Sequence, residues 1–225
     1  RTEGDAMTTS GVVHKTALSL VILTIAASFT WNLGMAGAPP TLVWIGVIGG
    51  LGVAIATIVK KRWAPFTTPV YAALEGLALG GISALFELRF PGIVSQAVFL
   101  TFGTLGALLL VYRSGWIPVT QNFRLGVAAA TGGIALLYLV SFVMSFFGTS
   151  IPMIHQGGTV GILFSVFVVI IHALNLVLDF DFIEAGAESG LPKFMEWYAA
   201  FGLLVTLVWL YLELLRLLGK LQGRR

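Results

Sequence analysis

The chain has 225 residues, of which 57% are hydrophobic and only 10% charged, with a formal net charge of +3; its mean hydropathy is +0.95. Soluble domains carry about 25% charged residues, so this composition cannot cover a water-facing surface, and lipid must replace water around much of the chain. The absence of cysteine excludes disulfides, thiolate nucleophiles and Cys-ligated metals.

The first ten residues, Arg1 to Ser10, are polar and hold no apolar run, so they do not form a signal peptide. The chain starts at Arg1 rather than Met, and the expectation is that a disordered cytoplasmic piece precedes it. Residues 1–14 are read as that N-terminal remnant, 15–219 as the transmembrane domain and 220–225 as a basic tail.

A helix needs about 20 apolar residues to cross the hydrocarbon core, and seven segments meet that length. The first runs from Lys15 to Met35 and the second, uncharged, from Thr41 to Val59. The third, Phe66 to Phe86, contains Glu75; the fourth, Pro91 to Tyr112, is uncharged. The fifth runs from Arg124 to Phe147 and the sixth, with His172, from Gly157 to Asp179. The seventh, Phe194 to Leu218, contains Glu196 near its start and Glu213 near its end. Connections carry turn signals: Gly37-Ala38-Pro39-Pro40, Trp63-Ala64-Pro65, Phe90-Pro91-Gly92 and Gly148-Thr149-Ser150-Ile151-Pro152. The pattern predicts an all-α integral membrane bundle of seven transmembrane helices.

Positive charge alternates along the chain. The side bearing the N-terminus has Lys15, Lys60-Lys61-Arg62, Arg113, Arg124 and Lys193, while the opposite connections have Arg89 and His155. The bias of Lys and Arg toward the cytoplasm places the N-terminus inside, and the chain is read as a multi-pass protein of the cell inner (plasma) membrane. Lys220, Arg224 and Arg225 argue against a seventh crossing that would carry them outside. Gly46/Gly50 and Gly76/Gly80 form two GxxxG pairs, expected to serve close packing within the bundle rather than a dimer contact.

Ionisable residues within hydrocarbon are costly and face the protein interior or water. His172, Asn175 and Asp179 stand at i, i+3 and i+7 of the sixth helix, one face of it. This polar stripe is expected to point inward, with Asp179 buried and Leu176 turned to lipid. Asp181, two residues on, points to nearly the opposite side and opens an acidic run with Glu184 and Glu188. The second and sixth helices both end at the cytoplasmic face, so a latch between ionised Asp179 and one of the cations Lys60, Lys61 and Arg62 is expected there. Glu75 would lie on the order of 13 Å deep from that face. Glu75 and Asp179 are the candidate cation ligands, and Glu75, His172, Asn175 and Thr206 candidate channel-lining groups.

Enzyme constellations are missing: there is no HExxH, GxSxG, GxxxxGK[ST] or post-strand GxGxxG. Asp179 and Asp181 share one helix, so they cannot form the two-helix pair of an intramembrane aspartyl protease, and no Lys between Lys193 and Lys220 offers a retinal linkage. The protein is read as no enzyme, with no cofactor and no nucleic-acid partner.

Particular strings resemble the Bax inhibitor-1 (transmembrane Bax inhibitor motif) family in its bacterial, actinobacterial-type branch. They are Met7-Thr8 followed by Gly11-Val12-Val13-His14-Lys15-Thr16, then Pro69 to Gly76 (PVYAALEG), Pro91 to Ala97 (PGIVSQA), Leu178 to Glu184 (LDFDFIE) and Glu196 to Phe201 (EWYAAF). The resemblance implies a pH-sensitive calcium leak, with the lipid bilayer, calcium ions and other membrane proteins as partners. It implies a pH sensor made of an acid on the sixth helix and one on the seventh, latched by an Arg of the second. Asp179 matches the first acid and Arg62 stands nearest the latch position; Asp181 accompanies Asp179 in the sensor group. The second acid has two alignments, one giving Thr206 and the other Glu213, and the seventh helix contains no Asp. The resemblance also allows a non-transporting regulator that binds a membrane protein such as a quality-control protease.

Overall fold

The computed structural model describes residues 6–148 and 158–223. His155, the Thr149-Ser150-Ile151-Pro152 part of one turn signal, Asp5, Arg224 and Arg225 lie outside the described residues. Among the described residues there are seven α-helices in chain order: α1 (Thr9–Met35), α2 (Thr41–Val59), α3 (Ala64–Arg89), α4 (Ile93–Arg113), α5 (Gln121–Ser145), α6 (Thr159–Glu188) and α7 (Met195–Gln222). A 3-10 turn, Lys61–Trp63, joins α2 to α3. All seven are long and apolar enough to cross a membrane.

Helix ends follow local chemistry. α1 starts at Thr9, ahead of the apolar run, because the Thr8 hydroxyl accepts the Gly11 N–H at 3.0 Å and caps the first turn. Thr120 does the same for α5, taking the Phe123 N–H at 3.2 Å. Gly92 enters α4 with φ +84°, a left-handed conformation that glycine adopts without steric cost. α6 runs nine residues beyond Asp179, so the acidic stretch Asp181 to Glu188 is helical, with Glu184 and Glu188 exposed.

The chain forms two compact units, Arg1–Pro91 with Asp181–Val205, and Gly92–Phe180 with Thr206–Arg225. In the first, α3 packs against both α1 and α2. Glycine allows the close approach. A Cβ on Gly46 would sit 2.5 Å from the Leu74 carbonyl oxygen, and one on Gly80 would sit 2.0 Å from that of Ala27. Both GxxxG pairs therefore pack within the chain, as small residues do where helix backbones meet in lipid. The core of this unit is Tyr71, Ala72, Phe201 and Leu204, with Tyr71 and Phe201 edge-to-face at 5.0 Å. The second unit has its own core of Ile134, Val168 and Ile171, flanked by Ala130, Phe164 and Leu174. α6 and α7 each contribute to both units. Burial is highest in α3 and α7 and next in α6, while α1, α2, α4 and α5 bury few of their residues and present exposed apolar side chains such as Ile25, Ile48, Phe99 and Leu136, which lipid would cover.

Candidate functional site

The polar groups of α6 are drawn inward in the second unit. The buried His172 donates its Nδ1 proton to the Val168 carbonyl at 2.8 Å, and its ring stacks on Trp209 of α7 with centroids 5.9 Å apart. Asn175 donates to Thr131 of α5 at 2.7 Å and to the Ile171 carbonyl at 2.9 Å. Asp179 receives the hydroxyl of Thr206. The inward stripe is thus present. Leu176, however, is fully buried rather than lipid-facing. It lies four residues after His172 and three before Asp179, so it shares their face. The outer face of α6 is Leu163, Phe167 and Ile170 instead.

α7 supplies the other wall. Tyr138 of α5 donates its hydroxyl to Glu213 Oε2 at 2.9 Å, and Arg216 Nη1 meets the same oxygen at 2.7 Å and the Tyr138 hydroxyl at 2.6 Å. The Arg216 guanidinium also lies over the Tyr138 ring, 5.0 Å from its centroid. Further along, the buried ammonium of Lys220 donates to Ser165 Oγ at 2.9 Å and to the Gly161 carbonyl at 3.0 Å. Asp179 opposite Thr206, His172 opposite Trp209, and Ser165 opposite Lys220 give one antiparallel register, so the two helices share a polar seam. From Asp179 to Ser165 it spans roughly 21 Å.

Two carboxylate oxygens in this unit, Asp179 Oδ2 and Glu213 Oε1, are shielded from solvent and have no hydrogen-bond partner. A buried polar atom without a partner is uncommon and costly, and both lie on the helices that form the seam. The seventh-helix group at Asp179 is Thr206; Glu213 is held instead by Tyr138 and Arg216.

The remaining sequence candidates are elsewhere. Glu75 is half-buried in the first unit, where a Cβ on Gly50 would fall 2.9 Å from its Oε2, so the glycine leaves room for the carboxylate. Arg62 is exposed on the Lys61–Trp63 turn, after α2 rather than within it. Its neighbours are held by aromatic rings: Lys60 over Trp63 at 4.3 Å and Lys61 over Tyr198 at 5.1 Å. Asp181 is half-buried and belongs to the first unit, Asp179 to the second. Arg62 and Asp179 are divided in the same way, as are Glu75 and Asp179. Among the described residues no three His, Asp or Glu side chains gather as a metal site.

Sequence reasoning named Glu196 in the seventh helix and in the EWYAAF string but gave it no role. This carboxylate is fully buried in the first unit and is bound by Lys15, by Lys193 at 3.0 Å, and by the Thr8 N–H and hydroxyl at 2.9 Å each. Its sequence signals were its place in the EWYAAF string and an acid in the first turn of a helix.

Seven helices long and apolar enough to span a membrane, among the described residues, and a seam of paired polar side chains between α6 and α7 define a polytopic helical membrane protein. The family described as Bax inhibitor 1 like matches residues 1–223, and the chain belongs to the Bax inhibitor-1 family. No curated protein and no solved structure matches the chain.

Proposed function

We propose that this protein is a calcium-permeable leak whose pH response rests on Asp179. The observation that carries the reading is the Asp179 carboxyl itself. It stands in the polar seam of α6 and α7, one oxygen taking the Thr206 hydroxyl and the other, Oδ2, shielded and unpartnered. A proton or a cation would each satisfy that oxygen, so the two compete for it. Calcium prefers oxygen ligands. A single carboxylate with hydroxyl and amide neighbours such as Thr206 and Asn175 would bind it weakly, as conduction requires. The charged groups elsewhere in the seam are already engaged: Glu213 with Arg216, and Lys220 with Ser165 and Gly161.

The seventh-helix position opposite Asp179 is a threonine, which does not titrate in the physiological range. The pH response should therefore follow one proton rather than a coupled pair of acids. Purified protein in calcium-free vesicles with an internal calcium indicator tests the reading. Calcium entry should exceed that of empty vesicles and change across a pH series. Entry equal to that of empty vesicles at every pH would remove calcium permeation from the account.

A further inference from the structure

The N-terminal segment is bound where no apolar pattern requires it. Ala6 pairs with Pro192 in an isolated antiparallel bridge, and the Met7 N–H donates to the Leu191 carbonyl at 2.7 Å. The Met7 side chain is buried and lies beside Gly186; a Cβ on that glycine would sit 3.1 Å from the Met7 sulfur and 3.2 Å from Leu191 Cδ1. Thr8 then gives both its N–H and its hydroxyl to Glu196. Residues 6–8 thus form a strap across the connection from α6 to α7, and α1 departs directly from it.

Glu196 is the buckle. Its carboxylate lies at the first turn of α7 and over the first turn of α1, so two helix N-termini favour its negative charge. Lys15 and Lys193 bring two ammonium groups to it, and Lys15 also lies 5.7 Å from the centre of the Trp197 ring. The carboxylate fits only because Gly11 has no side chain: a Cβ there would fall 2.1 Å from Glu196 Oε1. Lys15 and Lys193 keep 20% and 49% of their side chains exposed while Glu196 keeps none, so the cations can withdraw to water and the acid cannot. The strap touches Gly186 near the end of α6, Leu191 and Pro192 in the connection, and Glu196 at the start of α7, so it binds the ends of the same two helices that carry the Asp179 seam.

We propose that residues 6–8, fastened by Glu196, are a releasable clasp that holds the α6–α7 connection in the low-leak state. This inference rests on the calcium leak proposed above. The test uses the full chain in phosphatidylcholine vesicles and has two arms. In the first, hydrogen exchange is measured at the Met7 and Thr8 amides of wild type and Glu196→Gln. Loss of charge-assisted bonds should speed exchange at both by about tenfold or more and raise calcium entry. In the second, Ala6→Cys and Pro192→Cys are combined in a chain with no other cysteine. An antiparallel pair is close enough for a disulfide. The oxidised protein should leak several-fold more slowly than the same protein after reduction. Unchanged protection in folded Glu196→Gln, or equal leak from the oxidised and reduced pair, overturns the clasp. The disulfide arm decides if Glu196→Gln does not fold. Absence of leak from wild type would sink the proposed function and the gating half of this inference, while the exchange arm would still show whether Glu196 fastens the strap.

Discussion

A single side chain reports the physics of this membrane interior most clearly at Glu213. It is 2% exposed, one oxygen serves both Tyr138 and Arg216, and the other has no partner. Removing its charge strands the guanidinium and the phenol together. Glu213→Gln should destabilise the protein by roughly 2–3 kcal/mol, the lower part of the range for a broken buried pair because Arg216 is 38% exposed. Tyr138→Phe should cost about 1 kcal/mol. The double variant should cost less than the sum of the singles, since both remove parts of one network. Equilibrium unfolding in mixed detergent micelles measures this, and strict additivity would show that the three groups do not act together. The same residue marks a limit of reading from sequence. Thr206 and Glu213 were both open as partners of Asp179, because a register between helices depends on packing that neither helix states alone. The structure brings Thr206 to Asp179 and pairs Glu213 with Tyr138 and Arg216. Leu176 was legible and misread: helical spacing from His172 already placed it on the inward face.

Among the elements, α2 showed its length and bounds in sequence, Thr41 to Val59, because an uncharged apolar run ends at Lys60. α6 did not, since hydropathy ends near Asp179 while the backbone continues helical to Glu188. Charged residues end a membrane span without ending a helix. The glycines of α3 were legible as packing positions, and their partners now have names. Gly80 faces the Ala27 carbonyl and the Thr30 hydroxyl, where an added Cβ would fall 2.0 and 2.2 Å away. Backbone cannot yield as a flexible side chain can. Gly80→Val should therefore separate α1 from α3 and destabilise the first unit by several kcal/mol, within the usual cost of overpacking or above it. Gly103→Ala on α4, where nothing lies within 4 Å, should stay near neutral. Thermal unfolding of both variants in one detergent checks the contrast, and similar melting temperatures would contradict it.

For the whole molecule, the seven spans and the family were legible from apolar length and a few strings, whereas the clasp at Glu196 was not. Its bonds join Thr8 and Lys15 to a residue more than 180 positions away, and no local pattern encodes such a pairing. Lys220 also changes meaning. In sequence it weighed against an external C-terminus, but its ammonium is buried against Ser165 and Gly161 and is not a free loop charge. With Lys60, Lys61, Arg113 and Arg124 all exposed, we propose a cytoplasmic N-terminus. Trp63→Cys, on the exposed turn after α2, should then resist an impermeant thiol reagent added to intact cells and react after lysis; labelling of intact cells would reverse the orientation. The latch expected between Arg62 and Asp179 would have to join one unit to the other, while the seam at Asp179 lies within one. The central claim is therefore Asp179, and its direct measurement is the pH dependence of calcium entry into vesicles bearing wild type or folded Asp179→Asn. Wild type should give a curve that follows a single proton, and Asp179→Asn a curve flat across the same range. An unchanged curve in Asp179→Asn would contradict the account and leave Glu75 and Glu213 as the acids to examine.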